Sequence, residues 1–300
     1  MNRKSFFMAL ITIIIWGSTF AAIRASLLGG YEAGHLVLVR YLIASLLFFL
    51  YALSRKKRFR LPDKQDIWKI LALGWIGISV YHIGVTFGVQ TIPAGTAGML
   101  IGSAPIFTAI IAVLVLKERL TGLGWAGLAV GFTGILLISV GSAGPSVSLA
   151  GGAIFVLAAA VATSVFFVFQ KPLLAKYGAI ELTAYFTWAG TLPFFIFLPG
   201  LAGTLQQAAP EAHLAALYVG IFPAGLAYAT WAIALSSGNA SSVSSMMYLE
   251  PAIAIIVAWL WLGEWPETLS LAGGVIAMAG VVIVAALGRT KSGHDLQAAD

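Results

Sequence analysis

Long apolar runs separated by short polar joints repeat along the whole chain. Runs of about 18–24 residues can cross a bilayer as helices, because each residue adds about 1.5 Å to a helix. Turn signals such as Gly29-Gly30 stand at the joints. The pattern predicts an all-α polytopic membrane protein with ten transmembrane helices, which we number as spans 1 to 10: Phe6–Arg24, Gly34–Leu53, Ile67–Gly88, Ala94–Leu116, Gly122–Val140, Ala150–Gln170, Ala179–Leu198, Ala212–Leu235, Ala240–Leu262 and Leu269–Leu287.

The two halves of the chain carry the same landmarks. A single offset of 146 residues superposes Pro105 on Pro251, Glu118 on Glu264, and Gly134 on Gly280. Apolar runs often align by chance, but Pro, Glu and Gly landmarks that keep register without a gap indicate an internal duplication. We therefore predict two five-helix repeats, residues 1–146 and 147–288, followed by a disordered cytoplasmic tail, residues 289–300.

An odd number of helices in each repeat has a mechanical consequence. After five spans the chain stands on the other side of the membrane, so the second repeat is expected to be inverted. Inverted repeats are typical of secondary transporters, which bind near the membrane midplane and work by alternating access. If the N-terminus is cytoplasmic, 15 of the 17 Lys and Arg residues face the cytoplasm; Arg24 lies outside and Arg40 within span 2. Both termini are therefore predicted to be cytoplasmic.

Composition narrows the protein class further. Of the 300 residues, 60% are hydrophobic and only 9% are charged, whereas soluble domains carry about 25% charged residues. The net charge of +6 does not indicate a nucleic-acid partner, because the basic residues stand between apolar runs, and the run Arg55–Arg60 is expected to face anionic lipid. The chain has no cysteine, which excludes disulfides and thiolate chemistry.

Several short motifs follow one another in a characteristic order. They are Trp16-Gly17-Ser18, Arg40-Tyr41, Pro105, Lys117-Glu118, Leu249-Glu250-Pro251 and Gly263-Glu264. In this order, with ten spans, they resemble the ten-span EamA-type branch of the drug/metabolite transporter superfamily. The resemblance covers residues 6–287 and implies export of small metabolites, often amino acids, across the bacterial inner membrane. A weaker likeness points to exporters of aromatic and neutral amino acids. Ala162-Thr163 and Phe186-Thr187 stand where a second Trp-Gly and Arg-Tyr would fall, so the halves are expected to contribute unequally to binding.

Polar side chains form a stripe along span 3. Ser79, His82, Thr86 and Gln90 recur at three- and four-residue spacing and therefore share one helix face. Because a polar group inside a membrane is costly, the stripe either lines a central cavity or forms hydrogen bonds with neighbouring helices. For His82, whose charge changes near neutral pH, a substrate-binding or pH-sensing role and a neutral imidazole bonded to another helix both stay open.

Charges and prolines inside the spans have their own alternatives. Glu250 could bind a substrate ammonium or carry a proton, but we favour a structural or gating role beside Pro251. For Arg40 we favour packing near the outer interface over a carboxylate clamp. Pro105 and Pro251 each free a backbone carbonyl, so both helices are expected to bend and to serve gating. Glu118 and Glu264, at equivalent helix ends, are predicted to be caps or gate latches.

Aromatic residues inside the spans offer a platform for an aromatic or apolar substrate, although core packing is the default for any single one. Thr19 shares a face with Trp16, and in span 9 Ser242 and Met246 share a face with Glu250, where a thioether suits a tolerant pocket. The predicted substrate-binding residues are Trp16, Thr19, Ser79, Tyr81, His82, Thr86, Tyr228, Trp231, Ser242, Met246, Tyr248 and Glu250. Spans 5 and 10, apolar with glycine seams, are expected to form a scaffold or a homodimer contact.

Other functional classes find little support in the residues. The sequence offers no convincing Ser-His-acid set, metal-ligand spacing or phosphate-binding glycine loop, so we predict no catalytic residue, metal or cofactor. The predicted partners are the lipid bilayer and a small neutral or zwitterionic molecule, most simply an amino acid. Exporters of drugs, nucleosides or polyamines with the same fold stay open, as does, more distantly, an intramembrane enzyme.

Overall fold

The computed structural model describes residues 3–54, 59–117, 120–142, 151–237, 243 and 246–287. Their regular structure is helical, which confirms the predicted all-α class. Two short helices, Lys171–Leu174 and Leu201–Gln207, lie in the joints. The long helical segments follow the order of the predicted spans: α1 (Arg3–Leu28), α2 (Ala33–Ser54), α3 (Ile67–Gly88), α4 (Ala94–Val115), α5 (Gly122–Gly141), α6 (Gly151–Phe169), α7 (Ala179–Phe197), α8 (residues 210–237), α9 (Met246–Leu262) and α10 (Thr268–Leu287).

Most of these helices match a bilayer in length and composition. Eight helices in the described part of the chain are long and apolar enough to cross a membrane, α9 is shorter, and α8 consists of three consecutive pieces. Large apolar side chains such as Leu214 and Leu260 are 67% and 70% exposed, as expected of surfaces that face lipid. The chain is therefore a multi-pass membrane protein, and the number of ten crossings stays a prediction.

Two helices contain a π-helical segment at equivalent positions. In α3 the segment is Trp75–Val80, and in α8 it is Phe222–Leu226. The 146-residue offset carries residues 75–80 onto 221–226, so the irregularity repeats with the sequence. A π turn changes the direction of the side chains that follow it and often marks a functional site. His82 and Tyr228, which the same offset superposes, follow these two segments.

The seam between α5 and α10 is built on glycine. A Cβ atom at Gly134 would lie 2.3 Å from the backbone nitrogen of Ala277, and one at Gly280 would lie 2.4 Å from that of Gly131. Exchange of the halves by 146 residues converts the first contact into the second. Because position numbers rise along α5 as they fall along α10 at these contacts, the two equivalent helices pack antiparallel with their backbones touching.

Two further pairs of equivalent helices also pack antiparallel. Along α2, Gly34 faces Phe197 of α7, Tyr41 packs on Phe194, and Ser45 Oγ lies 2.9 Å from Thr191 Oγ1, a residue 146 positions away. Between α4 and α9, Gly95 faces Ile255, whereas Gly102 faces Pro251. These contacts therefore join helices that the 146-residue offset superposes.

A charged network joins the halves at one end of the bundle, which we call the Arg24 end. Arg24 Nε donates to Glu264 Oε1 at 2.8 Å, and Arg24 Nη1 donates to the carbonyls of Val89 and Gln90 at 2.8 and 2.7 Å. Glu264 Oε2 accepts from the backbone nitrogen of Ala94, the first residue of α4, at 3.1 Å. One carboxylate therefore connects α1, the start of α4 and the joint after α9.

A second network joins the halves at the opposite end, which we call the Asp66 end. Lys176 Nζ and Tyr177 Oη donate to Asp66 Oδ2 at 2.9 and 3.0 Å, and Tyr177 Oη accepts from the backbone nitrogen of Asp63 at 2.9 Å. The hydrogen bond from Lys176 lowers the pKa of Asp66 against the opposing effect of burial. The same bond raises the pKa of Lys176. This network ties the α2–α3 joint to the α6–α7 joint.

Candidate functional site

Arg40 of α2 is a buried charge for which the described residues supply no ion-pair partner. The residue is 4% exposed, and its Nε and Nη1 atoms have no hydrogen-bond partner among the described residues. Its guanidinium carbon lies 5.6 Å from the ring centre of Tyr41, and it forms no ion pair within the described chain. An arginine stays protonated in proteins. Packing near an interface gives no reason for this unpaired charge.

His82 of α3 lies between two tyrosine rings. Its ring centre is 4.7 Å from that of Tyr41 and 4.5 Å from that of Tyr81. The residue is 7% exposed, and Nδ1 has no hydrogen-bond partner among the described residues. A buried polar atom without a hydrogen bond lowers the stability of the folded protein unless a bound ligand supplies a partner.

Charge interactions relate this arrangement to the second half of the chain, where the backbone oxygen of Glu250 would lie 3.2 Å from a Cβ atom at Gly17, next to Trp16. The charge of Arg40 acts on both Tyr81 and Tyr228, and Tyr81 also interacts with the carboxylate of Glu250. We call the whole set the central cluster; its members are Arg40, Tyr41, Tyr81, His82, Tyr228 and Glu250. It joins α2, α3, α8 and α9 and holds one permanent cation and one carboxyl group.

An aromatic wall adjoins the central cluster. The ring of Trp16 in α1 lies 6.0 Å from that of Tyr228, edge to face, and 5.4 Å from that of Trp231. Met246 belongs to the same apolar cluster, and Trp16 Nε1 donates to the carbonyl of Pro223 at 3.4 Å. We define the aromatic wall as Trp16, Tyr228, Trp231 and Met246. Tyr228 belongs to both sets, so the wall and the charges adjoin.

Among the polar residues along α3, Ser79 forms a hydrogen bond with a neighbouring helix, and lining of a central cavity stays a prediction for the others. Ser79 Oγ donates to the carbonyl of Gly190 in α7 at 2.8 Å, so this residue connects helices. His82 belongs to the central cluster, and Thr86 is 1% exposed. Gln90 borders a pocket of about 260 Å³ at the Arg24 end, lined by Glu32, Ala33, Gly34, His35, Phe87, Gln90 and Phe197.

Three other predicted binding residues are placed as follows. Thr19 Oγ1 donates to the carbonyl of Ile15 in its own helix at 3.0 Å. Tyr248 packs against the main hydrophobic core. Ser242 lies outside the described residues. Their role in binding stays a prediction.

The predicted gating residues lie at interruptions or ends of helices. In α4 the helix is interrupted at Ser103, directly before Ala104-Pro105. In α9 a 3₁₀ turn precedes the α-helical part, Glu250–Leu262, in which Pro251 is the second residue. Glu264 holds the network at the Arg24 end, and Glu118 lies outside the described residues.

Metal chemistry has no visible basis in the described part of the chain, where no three His, Cys, Asp or Glu side chains group to hold an ion. The candidate site contains charged groups, tyrosine hydroxyls and an aromatic surface, all of which can contact a ligand. Such groups bind a small polar molecule with an apolar side.

Comparison with known proteins decides the family. The sequence pattern of the EamA-like transporter family matches residues 3–140 and 150–286, that is, both halves. The chain belongs to the EamA-like transporter family. This confirms the resemblance to the drug/metabolite transporters, and membership indicates a transporter, not an enzyme.

Relatives of this family member cover almost its whole length. An "Uncharacterized transporter YdfC" of Bacillus subtilis is 39% identical, with 90% of this chain and 87% of the relative aligned. A "Probable terminal-alkyne amino-acid exporter" of Streptantibioticus cattleyicolor is 35% identical over 94% of this chain and 93% of the relative. A "Probable amino-acid metabolite efflux pump" of Salmonella typhimurium is 25% identical over 94% and 95%.

A solved crystal structure has the same fold. It superposes with a TM-score of 0.62 at 19% sequence identity and covers 94% of this chain and 96% of its own. At this identity the likeness bears on the fold alone. It matches the helical architecture described above.

Sequence reasoning left Arg40 and Tyr41 out of the predicted binding set, although both belong to the central cluster. The available signal was a single charge inside an otherwise apolar run of span 2, which in a membrane protein indicates a functional site. The contact of Tyr41 with His82 could not be found, because it joins two helices that the sequence does not orient.

Proposed function

We propose that this EamA-family transporter exports small neutral or zwitterionic metabolites, amino acids above all, across the bacterial inner membrane. The observation that carries the proposal is the central cluster beside the aromatic wall. One buried cation, one carboxyl group and an aromatic surface adjoin inside a bundle of apolar helices. The carboxyl group could bind the amino group of a substrate, the cation could bind its carboxylate, and the aromatic wall could contact an apolar side chain. The names of two relatives, which describe amino-acid export, support the same substrate class.

We propose alternating access between inverted repeats as the mechanism. Antiparallel packing of α5 on α10, with contacts that exchange under the 146-residue offset, supports the inversion, because equivalent helices then run in opposite directions. The networks at the Arg24 end and the Asp66 end each join the two halves. Opening one end requires its network to break while the other holds. The interruptions beside Pro105 and Pro251 would let α4 and α9 bend during this exchange.

Polyamine export is less well supported than amino-acid export. A polyamine carries several positive charges, and Arg40 would repel them, whereas Glu250 is the single carboxyl group of the central cluster. Drugs and nucleosides stay as outcomes of a transport assay.

A flux assay tests the proposed function. Purified protein in liposomes is supplied with a panel of radiolabelled amino acids, with and without a pH gradient. We expect flux of apolar or aromatic amino acids that falls about tenfold or more in Trp16→Ala, because the wall loses its central ring. Trp68→Ala is the matched control, since Trp68 is 75% exposed. Absence of flux for every amino acid would contradict the proposal, and dependence on the gradient would identify proton antiport.

A further inference from the structure

Within the proposed function, we infer that Arg40 binds the carboxylate of the transported molecule while Glu250 faces its ammonium group. The inference rests on amino-acid export and goes beyond it, because it assigns both poles and the orientation of the substrate. It starts from the unpaired guanidinium inside the bundle.

A buried cation without a counter-ion requires an explanation. A charge taken out of water without a partner is strongly unfavourable, and inside a membrane such a residue marks a functional site. Nε and Nη1 of Arg40 lack partners among the described residues. A guanidinium group with free N–H donors can bind the oxygens of a carboxylate. The feature is thus complementary to one particular group.

None of the described residues around Arg40 supplies an anion that would neutralise it. Tyr41, Tyr81, His82 and Tyr228 interact electrostatically with Arg40, yet none of them is an anion when protonated in the ordinary way. The Tyr41 ring lies under the cation at 5.6 Å, which stabilises it weakly and leaves the donors of the fork free.

Glu250 is the complementary pole. Its carboxyl group and the Arg40 guanidinium both interact with Tyr81, but the two do not pair with each other in the described structure. Two opposite charges that both act on one tyrosine, without an ion pair between them among the described contacts, are complementary to a molecule that carries both charges. An α-amino acid has this property, and Tyr228 would direct its side chain toward Trp16, whose ring it contacts.

The second half of the chain shows that the charge is not required by the fold. The 146-residue offset carries Arg40 onto Phe186 and Tyr41 onto Thr187. Phe186 is 2% exposed and packs with Phe166 at 4.9 Å. An apolar core residue therefore serves the equivalent helix position, and the guanidinium has a separate purpose.

The test pairs substrate changes with residue changes. L-Phenylalanine is the labelled substrate in proteoliposomes and is chosen because its ring suits the aromatic wall. If leucine is transported faster, leucine and leucinamide replace phenylalanine and its amide. Phenylalaninamide, which lacks the carboxylate, and 3-phenylpropanoate, which lacks the ammonium group, are the competitors. In the wild type we expect both to compete about 10- to 100-fold more weakly than phenylalanine, the range of a lost charged hydrogen bond.

The variants assign each pole. In Arg40→Gln the advantage of phenylalanine over its amide should disappear, and Arg40→Lys, which keeps the charge without the fork, should restore part of it. In Glu250→Gln the advantage over 3-phenylpropanoate should disappear instead. Arg60→Gln is the control for removal of one positive charge, because the Arg60 side chain is 61% exposed and paired with Asp63 at the Asp66 end.

The outcomes separate the two proposals. If the wild type moves no amino acid, the proposed function fails and this inference fails with it. If phenylalanine moves but its amide competes equally, or the advantage persists in Arg40→Gln, only the assignment of Arg40 is overturned. Should Arg40→Gln not fold, Arg40→Lys, which retains the buried charge, decides: an advantage of phenylalanine over its amide that is as large as in the wild type would overturn the assignment of Arg40.

Discussion

Two buried charged residues in this protein differ in their hydrogen-bond partners. Asp66 is 1% exposed, and its carboxylate accepts hydrogen bonds from Lys176 and Tyr177. Arg40 is 4% exposed, and two of its donors have no partner among the described residues. A satisfied buried charge stabilises a particular arrangement of elements, whereas an unsatisfied one costs stability that only a ligand can restore. Asp66 is therefore assigned to the scaffold, whereas Arg40 is proposed as a residue of the binding site.

The Asp66 network predicts a definite dependence of stability on pH. Because the folded-state pKa of Asp66 lies below its ordinary value of 3.8, its contribution is present above that pH and is lost as the pH falls through the folded value. The raised pKa of Lys176 adds a contribution that is present below 10.5 and lost as the pH rises further. At pH 7 we expect Asp66→Asn to melt several degrees below the wild type in detergent.

The difference between these melting temperatures should shrink as the pH falls below 4, because the wild-type carboxyl group then also becomes neutral. Asp63→Asn is the control: Asp63 pairs with Arg60 at an exposed position, where ion pairs contribute little. A gap between Asp66→Asn and the wild type that stays constant down to pH 2 would contradict the assignment.

At the scale of elements, the glycine seam fixes how α5 meets α10. A Cβ atom at Gly134 would lie 2.3 Å from the nitrogen and 2.6 Å from the Cα of Ala277, and backbone cannot rotate away as a side chain can. We expect Gly134→Ala to destabilise the protein by about 1–3 kcal/mol, the usual cost of overpacking. Gly122→Ala, at the start of the same helix with nothing within 4 Å, should melt like the wild type. Equal melting of all three proteins would show that the seam is not tightly packed.

Another element-scale prediction concerns the joints at the Arg24 end. Glu264 connects α1 to the start of α4, so Glu264→Gln should weaken closure there by removing the ion pair. The chain contains no cysteine, so a single Thr86→Cys reports access without background. Thr86 is 1% exposed, and we expect its labelling by a maleimide to rise about threefold or more when closure is weakened.

The control for this experiment is Glu267→Gln, an exposed glutamate in the same joint, which should leave labelling of the engineered cysteine unchanged. If Glu264→Gln and Glu267→Gln label at the same rate, the Arg24 network caps a helix without closing the site.

The helices could be predicted from the sequence because they leave regular traces, and the two halves each match the family pattern. Apolar runs bounded by turn residues reveal helices, and an offset of 146 residues relates pairs that the structure brings together, such as Ser45 and Thr191. The central cluster left a weaker trace. The π segments before His82 and Tyr228 break the 3.6-residue period that predicts which side chains share a helix face. No sequence pattern reveals which partners Arg40 has in the folded protein.

At the scale of the whole molecule, the distribution of charge sets the orientation in the membrane. Basic residues such as Lys64, Lys69 and Lys176 lie at the Asp66 end, whereas Arg24 lies at the other end, paired with Glu264. Positively charged joints stay in the cytoplasm, so the Asp66 end should face inward, and substrate should leave at the Arg24 end beside Gln90.

We expect Gln206→Cys, exposed in the joint before α8, to react with an impermeant maleimide in intact cells. Gln65→Cys, exposed at the Asp66 end, should react only after permeabilisation. The reverse pattern would invert the proposed direction of export, and labelling of both in intact cells would contradict the number of crossings between them.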